Sequence, residues 1–253
     1  LNLGRTSQDF LLWATQEFNA FKLASPYVQI SSIMPQKRNP VSIEHTRSLL
    51  SSVVGDAATV LQMVHNTPFG DIVDTEDDMQ PYLWRAIDRL VGIYKLFAGM
   101  ILTMDVNKEN LLKRAQNSFA NVTELADSLV RSEGISFRQS HKIVSLCVRE
   151  LMANNKESLA SLTWNLANEK CVEVTGKTLQ INEIAFYQAI QPEYFVNIRT
   201  LKGGPAPATM RKSLSQAQDD TVHLENWLRE KTEAILKAEN GLEQILKGWT
   251  EHE

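Results

Sequence analysis

The stretch Val41–Val64, VSIEHTRSLLSSVVGDAATVLQMV, sets Ile43, Thr46, Leu50, Val53, Ala57, Val60 and Val64 at alternating spacings of three and four. Residues so spaced stack along one side of an α-helix, the seam of a helical bundle or coiled coil. The same pattern returns downstream at Leu83, Ile87, Leu90, Tyr94, Phe97, Ile101 and Met104. A third stripe runs through Met210, Leu214, Ala217, Thr221, Leu224, Leu228, Lys231, Ile235, Ala238, Leu242 and Ile245, with Thr221 and Lys231 interrupting it. Upstream, Phe10, Leu11, Ala14, Phe18 and Phe21 predict a helix over 8–21, ended by Ser25-Pro26. Shorter helices are expected between the long ones. One covers 120–131 and stops at Gly134. The next opens on a capping box, Ser136 with Gln139, and a third covers 178–190. No stretch alternates at period two, so no sheet is expected. The chain reads as all-α.

Composition narrows the partners. The chain has 253 residues, 43% hydrophobic and 22% charged, with net charge −4. Without a Lys/Arg block, neither nucleic acid nor an anionic membrane is an expected partner. No apolar run approaches the roughly 20 residues of a membrane span. Two cysteines, Cys147 and Cys171, build no disulfide framework and suit a reducing cytoplasm. The chain opens on Leu1 rather than a methionine or a signal peptide, and reads as a fragment lacking an N-terminal part.

Between the first two helical runs lies SSIMPQKRNP, Ser31–Pro40, which has no period. It offers two hydroxyls, two cations and the Asn39 amide among its polar groups, stiffened by Pro35 and Pro40. Such a set can hold a hydroxyl beside an anion-binding group. That arrangement suits removal of a proton next to a carboxylate, with Lys and Asn donors taking up the charge that accumulates. Composition alone fits a solvated basic loop with helix caps as well.

The segment resembles the signature loop of the aspartase/fumarase superfamily, G-S-S-x-M-P-x-K-x-N, and the P-Q-K form resembles that of argininosuccinate lyases. DFLLWA, Asp9–Ala14, is similar to their helix before the loop. ELADSLVRSEGISFRQSHKIV, Glu124–Val144, and GGPAPATM, Gly203–Met210, resemble further segments of the C-terminal half or so of such an enzyme. The resemblance implies a homotetramer with a central helical bundle and active sites shared between subunits. On this chain, 1–104 would belong to the bundle, 105–205 to a small C-terminal helical domain, and 206–253 to a long helix returning to the bundle. The implied activity is that of a cytoplasmic C–N lyase which releases fumarate by β-elimination from a small-molecule substrate and needs no metal or organic cofactor. The alternative is a catalytically silent helical oligomer with a crystallin-like role. Ser31 would be the base. Ser32, Lys37 and Asn39 would bind the substrate carboxylate and its aci-carboxylate form. The general acid would lie upstream of Leu1.

Two departures stand out. The glycine that precedes the serines in the pattern is Ile30 here. After the first long helix the pattern LPLAYNRDLQEDK is replaced by TPFGDIVDTEDDM, Thr67–Met79. Asp71, Val73, Glu76 and Met79 therefore stand where Tyr, Arg or Lys, Gln and Lys contact substrate. Asp71 and Glu76 are expected to bind substrate while favouring a neutral or cationic distal end.

His45, about one helical turn beyond the loop, is either a site residue or a surface residue. DTEDD, Asp74–Asp78, reads as a solvated helix start. Lys202–Gly204 reads as a turn into the last helix. Trp84, Trp164, Trp227 and Trp249 read as core or interface residues.

Overall fold

A computed structural model describes residues 1–30, 32–34 and 36–250. The described chain is all-α, with four strands of two residues each. It forms two compact units, Leu1–Arg114 and Ala115–Glu253. Among the described residues no helix is long and apolar enough to cross a membrane.

In the first unit, α1 (Asn2–Trp13) packs on α2 (Val41–Met63), which pairs along its length with α3 (Asp74–Thr103). Between α1 and α2 the chain makes β1 (Phe21–Lys22), a 3₁₀ turn (Ser25–Tyr27), β2 (Gln29–Ile30) and β3 (Arg38–Asn39). The strand β4 (Asp105–Val106) pairs antiparallel with β1, and α4 (Lys108–Gln116) follows it. The helix expected over 8–21 ends instead at Trp13, after starting earlier, at Asn2. Its last apolar positions reach the core by another route. Asn19 adopts φ 46°, a left-handed conformation that Asn tolerates better than most residues, and the chain reverses there. Phe21 thus returns to Phe10 with ring centroids 5.2 Å apart, so the helical spacing survives without the helix. From α4, Asn110 Nδ2 donates to the Phe18 and Asn19 carbonyls at 2.7 and 3.1 Å. The Arg114 guanidinium donates to the Glu17 carbonyl at 2.8 Å and covers the Phe18 ring.

The α2–α3 seam is buried at Ile43, Thr46, Leu50 and Val53 of α2, as the spacing predicts, but Asp56 replaces Ala57 as its continuation. On α3 the buried residues are Ala86, Ile93, Phe97 and Met100. The expected α3 stripe shares only Phe97 with them. Leu83, Ile87, Tyr94 and Ile101 are exposed within this chain. The helix thus carries two apolar faces, only one of which α2 covers. Asp56 is held by Arg85 through Nε at 3.0 Å and through a second nitrogen, and by Arg89 at 3.4 Å; Arg89 also bonds Ser52. The Arg85 hydrogen bond holds the Asp56 carboxyl below its ordinary value, against the opposing effect of burial.

The second unit is built on α5 (Val122–Glu133), α6 (Phe137–Ala153), α7 (Trp164–Thr175) and α8 (Glu183–Ala189), whose core includes Leu125, Leu129, Ile143, Cys147, Leu151 and Phe186. Gly134 takes φ 63° and closes α5, since a side chain would be strained there. The capping box at Ser136 and Gln139 forms, with both reciprocal bonds present. The helix expected over 178–190 is shorter. Asn182 caps α8, and the Gln180 and Ile181 amides donate to the Glu133 carboxylate at 2.7 and 2.9 Å. Those amides are satisfied without a helical turn. Burial pushes the Cys147 thiol up to about 12, so it packs as a small apolar side chain. Glu124 is buried, yet Arg199 at 2.8 Å, Ser128 at 3.0 Å and Arg131 all bond it. After α9 (Pro192–Asn197), Gly203 at φ 85° and Gly204 turn the chain, as expected. A Cβ on Gly204 would come within 2.9 Å of the Leu201 carbonyl oxygen. The turn leads into α10 (Pro207–Thr250), 44 residues long and exposed along nearly its whole length. Trp164 is partly buried, its indole N–H donating to Ile181 at 2.9 Å, whereas Trp84, Trp227 and Trp249 are more than half exposed within this chain.

Candidate active site

Two short strands flank the signature segment, β2 just before it and β3 near its end. Gln29 pairs with Asn39 and Ile30 with Arg38, antiparallel, so the loop leaves and re-enters one short ladder. Ile30 suits this position: a β-branched residue favours the extended conformation of β2. Arg38 adds a second tie, its guanidinium donating to the Leu23 carbonyl at 3.2 Å and lying 3.5 Å from the Ser25 hydroxyl. Within the loop the Lys37 amide donates to the Met34 carbonyl at 3.0 Å. Pro40 then ends the ladder and starts α2, the Ile43 and Glu44 amides bonding its carbonyl.

Beside the ladder lies a cleft of about 580 Å³ whose walls include Gln16, Lys22, Met34, Gln36, Lys37 and Arg38. Three cations in one cleft favour an anionic ligand by simple Coulomb attraction, and the neighbouring amides can orient it. Lys37 and Arg38 come from the loop. Lys22 comes from β1 and Gln16 from the α1–β1 turn, which no motif in the sequence marks. Only the reversal at Asn19 carries them to the cleft.

Of the expected site residues, Ser31 lies outside the described residues. Ser32 is exposed in the bend that follows, and Lys37 is exposed at the cleft. Asn39 is half-buried in β3. Asp71 is exposed in the α2–α3 connection and Glu76 in the first turn of α3; neither lines this cleft. The acidic start of α3 is solvated as expected, with Asp74 accepting the Thr75 amide at 2.8 Å. His45 is exposed on α2 and does not line the cleft.

Comparison with known proteins bears on the family of the chain. Residues 1–55 match the lyase family model, and 119–197 match the model for the C-terminal region of argininosuccinate lyase. Argininosuccinate lyase 2 of Agrobacterium fabrum is 39% identical over 215 residues, covering 85% of this chain and 42% of its own. The argininosuccinate lyase of Methanothermobacter thermautotrophicus is 34% identical, covering 85% and 46%. The chain thus spans about half the length of the curated relatives it matches. Among solved structures, a variant of EDDS lyase with bound fumarate superposes with TM-score 0.80 at 27% identity, over 94% of this chain and 47% of that one. A class II fumarase from Schistosoma mansoni, at TM-score 0.52 and 21% identity, shares the fold.

Proposed function

Since the chain is a segment of the aspartase/fumarase superfamily that corresponds to the C-terminal half or so of an argininosuccinate lyase, we propose that the whole protein is a C–N lyase. It cleaves argininosuccinate or another N-substituted aspartate by β-elimination and releases fumarate. One observation carries this reading: the sequence Ser31–Pro40 keeps the serines, Lys37 and Asn39 of the lyase signature, and the paired strands β2 and β3 lie beside a cleft lined by Lys22, Lys37 and Arg38. Ser31 removes the proton from the carbon beside the carboxylate. Ser32, Lys37 and Asn39 hold that carboxylate as charge moves onto its oxygens. The C–N bond then breaks, fumarate forms, and the amine takes its proton from a general acid outside this segment. Fumarate bound in the related EDDS lyase structure supports the product.

Asp71 and Glu76 bear on the amine half. They add negative charge, and Val73 and Met79 offer no cation, where the lyase pattern places basic contacts. Each carboxylate repelled or left unpaired there costs on the order of 1–3 kcal/mol, about tenfold to a hundredfold in affinity. The preferred substrate is therefore an N-substituted aspartate with a neutral or cationic distal end. Steady-state kinetics on the full-length protein, read by ultraviolet absorbance of fumarate, should give N-succinyl amines lacking the distal carboxylate a higher kcat/KM than argininosuccinate. A clear preference for argininosuccinate would restore the ordinary family specificity. Absence of fumarate from every substrate would remove the lyase reading.

A further inference from the structure

Gly99 sits in the interior of α3, where alanine is the more stable choice because glycine loses more conformational freedom in a helix. Its neighbour explains the glycine. A Cβ built there would collide with the Tyr27 hydroxyl oxygen and lie 3.3 Å from Tyr27 Cζ. Gly55 on α2 and Gly92 on α3 are different: a Cβ on either meets nothing within 4 Å. The bare backbone at Gly99 is therefore a notch that seats one ring.

Tyr27 is half-buried against the core of the first unit and closes the 3₁₀ turn Ser25–Tyr27. Two residues later the chain enters β2, whose Ile30 is bonded to Ser31 in sequence and paired with Arg38 across the ladder. Arg38 reaches back to the Leu23 carbonyl on the other side of the turn. The path from α3 to the loop is thus short and stiff: an aromatic ring, a 3₁₀ turn, and a two-residue ladder that holds both loop ends. Displacement of the Tyr27 ring shifts the turn on which that ladder is built.

We propose that Gly99 is a positioning residue for the signature loop: its missing Cβ seats Tyr27, and Tyr27 sets where β2 and β3 hold the loop ends. The proposal rests on the lyase reading for its activity readout, though not for its structural one.

The test uses full-length protein with four variants: Gly99→Ala, Gly92→Ala, Tyr27→Phe and the Gly99→Ala/Tyr27→Phe pair. Displacing a reacting group by about 1 Å can cost up to about a hundredfold, so kcat of Gly99→Ala should fall about ten- to a hundredfold, with a smaller change in KM. Gly92→Ala, one extra methyl on the same helix, should turn over normally. Tyr27→Phe deletes the colliding oxygen, so the pair should recover most of the lost kcat. Hydrogen exchange across β2 and β3 should quicken in Gly99→Ala and return in the pair. Normal kcat and exchange in Gly99→Ala would overturn the proposal. So would a pair no better than Gly99→Ala, or equal loss of helical circular dichroism in both, since the damage would then not pass through the Tyr27 hydroxyl. If the wild type releases no fumarate, the lyase reading fails on its own and the exchange data still decide the notch.

Discussion

Ser31 is proposed as the base from its sequence neighbours: it follows Ile30 directly in a signature that continues to Lys37 and Asn39. A serine is a weak base in water, so its role requires donors that stabilise the alkoxide, and the cleft beside the loop contributes Lys22, Lys37 and Arg38. Removing a positioned base costs at least about a hundredfold. Ser31→Ala in the full-length protein should lose that much turnover while keeping its melting temperature, since one loop hydroxyl adds nothing to the α2–α3 core. Turnover within a few-fold of wild type would take Ser31 out of the mechanism. At this scale the motif was legible and the supporting residues were not. Lys22 and Gln16 enter the cleft through a reversal at Asn19, and a single Asn in a run with helical spacing gives no warning of it.

At the scale of elements, the α2–α3 pair depends on a charge as well as an apolar seam. Asp56 is buried where the spacing offered Ala57, and Arg85 and Arg89 cross from α3 to meet it. Its folded carboxyl titrates below the ordinary value of 3.8, so the ion pairs contribute fully above that value and are lost as pH falls through the lower, folded one. Asp56→Asn removes the titration. The melting temperature of the variant should lie below wild type at pH 7, and the gap should close as pH falls below about 4. A gap that stays constant down to pH 2 would show that these arginines do not stabilise the helix pair through charge. The sequence spacing located both helices but could not say that the seam passes from apolar residues to a carboxylate held by two guanidinium groups. That depends on the rotation of α3 against α2.

The whole molecule shows the same limit. The stripe expected on α3 is real as an apolar face, yet Leu83, Ile87, Tyr94 and Ile101 are uncovered within one chain. Along α10, Met210, Leu214, Leu224, Leu228, Ile235, Leu242 and Ile245 are likewise exposed. Apolar surface on that scale is rarely left in water, and a seam of seven-residue periodicity matches another helix of the same kind. The protein should therefore be a homo-oligomer, with four copies expected from the lyase bundle, and the exposed faces of α3 and α10 forming the contacts. Multi-angle light scattering at micromolar concentration checks this directly; a monodisperse monomer would refute it. Leu228→Glu with Ile235→Glu should weaken the assembly without loss of helicity, because neither side chain is buried in a single chain.

What the sequence determined by itself was whatever depends on neighbours along the chain. Alternating spacings of three and four made the long helices, the Ser136–Gln139 box and Gly134 set two helix ends, and the signature residues marked the loop. Tertiary structure alone decided what depends on neighbours in space. It chose which of two apolar faces of α3 meets α2, and it ended the first helix at Trp13 so that Phe21 could return to Phe10. It brought Lys22 to Lys37, and Tyr27 to the notch at Gly99. The physical reason is that helical periodicity fixes a side chain's direction around its own axis, whereas burial depends on how that axis is rotated and placed against another. No single stripe carries that second piece of information.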